Sequence, residues 1–339
     1  MCNMVSDKDI KNAFMGASDA RILFPLDDEY WLYFLKGSEE MCGYYSLWNN
    51  FRKFLEEHFH NDINLYNYEL HKIRRSFEDL GDFLGEYKTN ITKEMYNPEL
   101  YKFTREKNTL GKLLHNKHYY LSIDLKDAAF QCLDYFKCLG DETFSEHLAK
   151  ITEHPEMLHF RGNKIKCWNE VSTRAGQQHL LRMCFVILSK FYESDHKIMK
   201  YVRDNNLQLS NIRTDELMFH IGEENNIPED ILNEFCGKDI VFDGLIFHIN
   251  IYQYNLIHYT VNGEEMFKSF LDNVITGKRK FNAKNCTYMW HLNKLYEGKE
   301  LTEKDMVIMG GDGLAEPFTL DIKILEDTEQ NTDLEIHRS

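Results

Sequence analysis

The sequence predicts a mixed α/β (α+β) protein, in which an antiparallel sheet has helices packed on one face and follows a mostly helical N-terminal region. Residues 44–87 carry apolar side chains at helical spacing, which predicts a long helical stretch. Residues 119–123 and 207–221 are apolar runs that acidic residues end or interrupt, as expected of short strands and a hairpin. Residues 244–263 alternate between apolar and polar side chains, as one long strand or a hairpin would.

The length and composition describe a globular protein. The 339 residues are enough for two or three compact domains with hydrophobic cores. The net charge of −15 counts against a protein that holds nucleic acid by overall positive charge, although a local basic channel is compatible with it. The eight cysteines are scattered without a CxxC pair, which is typical of reduced thiols. Since the sequence has no apolar window of about 18 residues and no secretory signal pattern, we expect a cytoplasmic, non-secreted protein without a membrane partner.

The N-terminal region is predicted to begin with short elements and to continue as helices. Ile22–Phe24 and Tyr30–Leu35 are predicted as two short strands around a proline-containing turn. The alternative is a strand followed by a helix that begins at an aspartate cap. Residues 44–87 are predicted as a helical hairpin, because Asn61 and Asp62 interrupt the apolar stripe.

The segment Tyr119–Phe130 combines a strand, a polar turn and the start of a helix. Apolar residues run up to Asp124, Leu125 and Lys126 form the turn, and Asp127 can cap the helix that follows. The segment therefore places an acidic side chain at the end of a strand and close to the N-terminus of a helix.

The residues between this segment and the next acidic motif are predicted to be mainly helical. Residues 160–170 predict a strand or a turn, and residues 174–205 predict one long helix. The side chains expected on the buried side of that helix are Leu181, Phe185, Leu188 and Tyr192.

The C-terminal half is predicted to contain most of the strands. Residues 207–221 form a hairpin with a tight turn, and residues 222–235 form a turn and a short helix. Residues 264–296 are predicted as helix and loop. Residues 304–325 are predicted as a strand, a glycine turn and a second strand.

Three acidic residues, Asp124, Asp215 and Glu216, are candidate metal ligands. Adjacent carboxylates repel each other, so a fold that holds Asp215 and Glu216 together at a bend needs a reason to do so. Mg²⁺ prefers oxygen ligands, and two such ions about 3.5–4 Å apart can activate an attacking oxygen and stabilise a leaving one. We expect the three acids, with the backbone carbonyl of Leu125, to hold Mg²⁺ or Mn²⁺, Glu216 either as a ligand or as support for one. The helix that begins at Asp127 favours bound phosphate at the same place.

Both acidic motifs resemble those of a known group of enzymes. DLKDAAF, residues 124–130, resembles the first acidic motif of palm-type polymerases, especially that of reverse transcriptases. RTDELMFHI, residues 213–221, resembles their second acidic motif, in which two acids at a hairpin turn precede an apolar strand. Family B DNA polymerases have a similar turn, but their asparagine-tyrosine-glycine pattern is absent here. The turn of the tRNA-histidine guanylyltransferases is similar to Thr214-Asp215-Glu216.

The resemblance implies a domain organisation and a function. A palm-like catalytic domain would span residues 116–325, after a helical, finger-like accessory region at residues 1–115. Residues 326–339, which contain five acids and one arginine, are expected to form a flexible acidic tail. The implied function is Mg²⁺-dependent nucleotidyl transfer, as in a nucleic-acid polymerase that uses two metal ions. Its partners would be nucleoside triphosphates and a DNA or RNA primer–template or tRNA, and the chain as a whole resembles phage or large-virus gene products.

The resemblance also implies which residues contact the nucleotide. Ala129 stands where many DNA-synthesising members have an aromatic residue that excludes the ribose 2′-hydroxyl. Ala129 leaves room for that hydroxyl, although Phe130 beside it can take over the role. The basic residues near the helix between the motifs are candidate phosphate ligands. The complete set of predicted nucleotide-binding residues is Lys126, Asp127, Ala128, Ala129, Phe130, Lys164, Lys166 and Arg174.

Two other interpretations of the sequence remain open. One is a guanylyltransferase-like or cyclase-like palm enzyme that acts on tRNA or on a free nucleotide. The other is a non-catalytic interaction protein whose acidic surface binds a basic partner, because a strand that ends in aspartate and a polar Asp-Glu turn are each common without catalysis. His147, His154 and His159 match no zinc-ligand spacing and are expected to be ordinary core or surface residues.

Overall fold

The computed structural model describes residues 7–20, 22–87, 90–106, 114–174, 176–281 and 288–325. It confirms the mixed α/β class, with a helical N-terminal region and an antiparallel sheet. The predicted acidic tail, residues 326–339, lies outside the described residues.

The described residues before the sheet are helical. The helices are α1 (Asp7–Ser18), α2 (Asp28–Gly37), α3 (Glu39–Cys42), α4 (Tyr44–Phe59), α5 (Ile63–Glu86) and α6 (Pro98–Glu106). The helical hairpin is confirmed as α4 and α5, and Asp62 caps α5 by accepting hydrogen bonds from the amides of Asn64 and Leu65.

The strands predicted at Ile22–Phe24 and Tyr30–Leu35 are wrong, and of the alternative, a strand and then a helix that begins at an aspartate cap, only the helix is confirmed. Helix α2 follows Asp27, although the Asp27 side chain makes no capping hydrogen bond. Trp31, Phe34 and Leu35 are buried, and their spacing of three and four residues suits a helix that packs one face into the core.

One sheet organises the rest of the chain. Its strands pair in the order β2-β3-β1-β5-β6-β7, all antiparallel, and β4 and β10 also pair with β5. The strands are β1 (Tyr119–Leu125), β2 (Gln208–Arg213), β3 (Glu216–Gly222), β4 (Lys238–Phe242), β5 (Leu245–Val261), β6 (Glu264–Asn273), β7 (Arg279–Phe281), β8 (Val307–Met309), β9 (Ala315–Pro317) and β10 (Ile322–Ile324). Strands β8 and β9 form a separate two-stranded sheet around a glycine turn, as predicted.

The predictions for the C-terminal half are confirmed except in one segment. The hairpin at residues 207–221 is β2 and β3, and residues 244–263 contain the single long strand β5. The helix and loop predicted for residues 264–296 are wrong over β6, because its ten residues all pair with β5. Six of the ten residues of β6 are polar, so the strand lacks the alternating apolar pattern that predicts a strand, and only its pairing reveals it.

The remaining helices follow or interrupt the strands. They are α7 (Ala128–Tyr135), α8 (Phe144–Ile151), α9 (Arg161–Ser172), α10 (Gly176–Glu193), α11 (Lys197–Asp204), α12 (Glu229–Phe235) and α13 (Met289–Tyr296). The strand or turn predicted at residues 160–170 is wrong, since this segment is α9. The short helix predicted within residues 222–235 is confirmed as α12.

The single long helix predicted for residues 174–205 is also wrong. Helix α10 ends at Glu193 and a second helix, α11, begins at Lys197. The His196 side chain caps α11 by accepting a hydrogen bond from the amide of Ile198. The buried side of α10 differs from the predicted one, because Leu181 is exposed, whereas Leu188 is buried as predicted. The buried residues of α10 include Leu180, Met183, Cys184, Ile187, Leu188 and Phe191.

One hydrophobic core connects the N-terminal helices with the sheet. It includes Phe14 and Phe51 of the helical region together with Leu121 and Ile123 of β1 and Phe219 of β3. The division predicted at residue 115 stays a prediction, and the core continues across it. The helices therefore pack against one face of the sheet and leave the Asp124 side of β1 on the opposite face.

Candidate functional site

The turn between β2 and β3 is fixed against the end of β1. Asp124 and Glu216 are Cα partners in the antiparallel ladder of β1 and β3. The amide of Leu125 donates a hydrogen bond of 2.8 Å to the carbonyl oxygen of Asp215. Asp124 and Asp215, 91 positions apart in the chain, therefore meet at one end of the central strands.

Strand alternation directs the acids to the face that the core does not occupy. Ile123 and Leu125 are buried in the main hydrophobic core, so Ser122 and Asp124 point to the opposite face. Glu216 shares this face because it is paired with Asp124. The register of one strand pair thus decides that the acids form a cluster.

Electrostatic repulsion is strong in the cluster. Burial, together with the negative charges of Asp215 and Glu216, raises the pKa of Asp124 to about 7. Burial and the Glu216 carboxylate also raise the pKa of Asp215. A divalent cation would relieve both effects, because it supplies positive charge where the protein has too little.

Glu216 differs from the two aspartates because protein donors surround it. Its side chain is buried, and Ser122 Oγ donates to Glu216 Oε1 at 2.6 Å. Arg213 Nη1 lies 3.6 Å from Oε2, and Lys280 Nζ lies 4.0 Å from Oε1. Its surroundings therefore suit a role in supporting the turn, one of the two roles predicted for it.

The predicted nucleotide-binding residues at positions 127–130 have different roles in the structure. Asp127 precedes α7 with φ of 45°, and its carboxylate pairs with Lys164 instead of capping the helix. Ala128 is buried, whereas Ala129 is partly accessible. Phe130 stacks on Phe144 with 4.4 Å between the ring centroids, so its ring serves the core of the protein.

Of Lys164, Lys166 and Arg174, which were predicted to contact phosphate, only Lys164 is close to the acids. Lys164 lowers the pKa values of Asp124 and Asp215, which places its charge beside them. Lys166 lines a different cavity, and Arg174 forms ion pairs with Glu78 and Asp82 of α5, the second at 3.5 Å. The sequence could not separate them, because their directions depend on how α9 and the residues after it pack.

Lys280 of β7 is a site residue that the sequence reasoning missed. Its ammonium lies 5.6 Å from the centroid of the Tyr252 ring and counteracts the raised pKa values of Asp124 and Asp215. The basic run Lys278-Arg279-Lys280 was a usable signal, but the segment was predicted as helix and loop. The sheet brings this lysine to acids that lie more than 60 residues away in sequence.

A cavity of about 680 Å³ opens beside Asp124, and its size suits a nucleotide-sized ligand. Lys126 Nζ lies 2.5 Å from Asp239 Oδ2, and His248 Nδ1 lies 2.7 Å from Asp239 Oδ1. His248 is the Cα partner of Asp124 across β1 and β5, so this group adjoins the acids. No sequence motif marks Asp239 or His248, because the pairing of β4 with β5 creates their contact. The residues that line the cavity are Asp124, Lys126, Gly237, Lys238, Asp239 and His248.

The donor set fits a hard divalent cation that shares its ligands with a substrate. Within the described ranges, no group of three or more His, Cys, Asp or Glu side chains is arranged to hold a metal ion by itself. Mg²⁺ is usually bound by one or two carboxylates together with substrate phosphates and water. Asp124 and Asp215 supply two carboxylates of this kind. The role predicted for the Leu125 carbonyl stays a prediction.

Comparisons of the chain with protein-family models, curated proteins and solved structures found no match. None of the helices in the described ranges is both long enough and apolar enough to cross a bilayer.

Proposed function

We propose that the protein is a divalent-metal-dependent nucleotidyltransferase that extends a nucleic acid from nucleoside triphosphates. The observation that carries the proposal is the pairing of β1 with the hairpin turn, which brings Asp124 beside Asp215. Burial and the charges of neighbouring carboxylates raise the pKa of both groups, and few neighbours compensate for them. Perturbed carboxylates beside a cavity are typical of functional sites.

Asp124 and Asp215 would hold Mg²⁺ or Mn²⁺, and Glu216 would keep the turn in place through Ser122 and Arg213. The bound metal would activate the attacking hydroxyl and stabilise the pyrophosphate that leaves. The chain's own part is positioning and charge neutralisation around the transferred phosphorus.

Basic side chains on both sides of the acids suit a triphosphate. Lys164 and Lys280 act electrostatically on Asp124 and Asp215, and Lys126 lines the adjoining cavity. These lysines supply local positive charge in a chain whose net charge is −15. Local charge of this kind supports binding of a nucleotide more than non-specific binding of a long duplex.

The test uses the whole chain with labelled NTPs or dNTPs, a panel of primer–templates, and Mg²⁺ or Mn²⁺. We expect incorporation by the unmodified protein and a loss of about 100-fold or more in the Asp215→Asn variant, as when a group that stabilises transition-state charge is removed. The matched control is Asp195→Asn, since the side chain of Asp195 is 91% exposed and its carboxylate lies 3.9 Å from Arg203. Asp195→Asn should incorporate nucleotides at the unmodified rate.

Two results would overturn the proposal. One is the absence of incorporation in every arm by a sample whose cooperative thermal unfolding shows that it is folded. The other is equal activity of Asp215→Asn and the unmodified protein, which would remove the site. Reactions with tRNA or with an NTP alone distinguish a guanylyltransferase-like or cyclase-like enzyme from a templated polymerase. Comparison of NTPs with dNTPs tests whether Ala129 admits the 2′-hydroxyl.

A further inference from the structure

A second cavity, of about 520 Å³, lies among α1, α5 and α9 and is separate from the acid cluster. Lys164 and Lys166 are two residues apart on α9, so their side chains leave the helix about 200° apart. Lys164 pairs with Asp127 beside the acids, whereas Lys166 lines the second cavity. Helix α9 therefore places one lysine beside the acid cluster and the other in the second cavity.

Lys166 is a half-buried cation without a direct partner. Among the described residues, its ammonium has neither a hydrogen bond nor an ion pair, although nearby Arg74 pairs with Glu170. Burial lowers the pKa of Lys166, and the charge of Arg74 lowers it further. Gly16 provides the space for this side chain, because a Cβ atom at position 16 would lie 2.7 Å from Lys166 Nζ. An ammonium partly removed from water without a direct anionic partner is costly, and the charge of Asp19 compensates only in part, because the pKa of Lys166 stays lowered. A bound anion would therefore stabilise this side chain.

A buried amide gives an independent indication of a ligand. Asn163 is fully buried and lines the cavity, and its amide nitrogen donates to the Tyr66 hydroxyl at 2.7 Å and to the Met157 carbonyl at 3.0 Å. Its Oδ1 atom has no hydrogen-bond partner among the described residues. Unsatisfied buried acceptors are rare in folded proteins, and this one suits a hydroxyl or amino group.

The mouth of the cavity is polar and carries little charge. Asn12, Asn64 and Asn67 are exposed there, together with the carboxylate of Asp9. Carboxamides both donate and accept hydrogen bonds, so they suit a ligand with several hydroxyl or amino groups. The single carboxylate at the rim disfavours a highly charged ligand such as a triphosphate.

We propose that this cavity binds a small phosphate monoester of nucleotide or sugar-phosphate size. The phosphate lies on Lys166, which acts as a point-charge phosphate ligand, and the carboxamides bind the hydroxyl-bearing body. The cavity volume is within the range that holds such molecules. This site is independent of the nucleotidyl-transfer site.

The test is calorimetric titration of the whole chain in EDTA, so that no divalent cation supports the acid cluster. The probes are adenosine 5′-monophosphate, ribose 5-phosphate, adenosine and inorganic phosphate. We expect the two monoesters to bind more tightly than adenosine or free phosphate. Lys166→Met should weaken monoester binding by roughly tenfold or more, the cost of a hydrogen bond to a charged group. The control is Lys150→Met, because Lys150 is an exposed lysine of α8 that pairs with Glu142 and does not line the cavity, so this variant should bind as the unmodified protein does.

A second pair of variants tests the charge without altering buried groups. Asn67 is exposed on α5, so Asn67→Asp should weaken monoester binding and Asn67→Lys should strengthen it, both without loss of folding. Asp215→Asn should leave this binding unchanged, which separates the result from the test of nucleotidyl transfer.

Three results would overturn the inference. The first is that no probe binds to folded protein. The second is that Lys166→Met and both Asn67 variants bind the monoesters as the unmodified protein does. The third is that adenosine or inorganic phosphate binds as tightly as the monoesters, since the pocket would then not recognise a phosphorylated body.

Discussion

Asp305 is fully buried and Asp124 is half-buried, and their environments have opposite effects on the pKa of the carboxyl group. Asp305 is fully buried, yet its donors outweigh the effect of burial and hold the pKa of its carboxyl well below the usual range. The carboxylate of Asp124 has no hydrogen bond within the described ranges, and its pKa is raised to about 7. The groups that donate to Asp305, all within 2.8 Å, come from Tyr33, Trp290, Lys294 and Thr302.

The difference separates a structural acid from a functional one. Asp305 connects the N-terminal region, through Tyr33, with α13 and the following turn, so its donors stabilise the fold. At Asp124 the fold keeps a half-buried negative charge beside other acids, which lowers stability unless something binds there. Unsatisfied charge, more than burial alone, therefore identifies the candidate site.

The largest expected effect is on the structural acid. Asp305→Ala removes the partner of Lys294 and the acceptor of several buried donors, so it should lower the free energy of unfolding by about 3–5 kcal/mol. Urea denaturation followed by circular dichroism measures this. The control is Asp321→Ala, whose exposed pair with Lys323 should contribute less than about 1 kcal/mol. Similar losses in the two variants would contradict the structural role of Asp305.

Substitution of Asp124 is expected to change the free energy of unfolding in the opposite direction. The pKa of this carboxyl is higher in the folded chain than in the unfolded chain, so the folded state binds the proton more tightly. This group's contribution to stability therefore falls as the pH rises from about 4 to about 7, and the loss is complete above 7. Asp124→Asn removes the charge and should stabilise the protein by about 2 kcal/mol at pH 8, allowing for partial solvent screening.

Urea denaturation at pH 5 and pH 8 checks this expectation. The gain from Asp124→Asn should be larger at pH 8 than at pH 5, while binding of Mn²⁺, followed by its electron paramagnetic resonance signal, should weaken. Destabilisation by Asp124→Asn at pH 8 would show that the carboxylate is a structural acid like Asp305.

The smallest effect is expected at Glu216, which is an acid of the cluster with donors of its own. Ser122→Ala removes a hydrogen bond to a buried carboxylate and should lower the free energy of unfolding by about 1.5 kcal/mol. The control is Ser172→Ala, because Ser172 is exposed and donates only to a carbonyl of its own helix. If the two serine variants were equally stable, the supporting role of Glu216 would lose its basis.

The local parts of this contrast were predictable from sequence. The strand that carries Asp124, the hairpin with Asp215 at its turn and the helical hairpin of α4 and α5 all follow from short-range patterns, and the structure confirms them, although the strand runs one residue past Asp124, to Leu125. The positions of the apolar runs also predicted that the acids lie at the ends of strands. Local patterns predict elements well because they depend on side-chain spacing within a few residues.

Non-local parts were not predictable. Strand β6 was predicted as helix and loop, α9 as strand or turn, and Lys166 and Arg174 as ligands close to the acids. In each case the deciding contact comes from a distant element: β5 for β6, and α5 for Arg174. Lys280 and the Asp239–His248 pair were missed for the same reason.

The sequence by itself determined which residues end strands, begin helices and carry negative charge, because these properties depend on neighbours along the chain. Tertiary structure decided which charges are compensated. Asp305 accepts hydrogen bonds from residues up to 272 positions away, whereas the charged neighbours of Asp124 include two other carboxylates. Desolvation and charge compensation depend on what surrounds a group in space, so only the folded chain separates the acid that stabilises it from those available to a ligand.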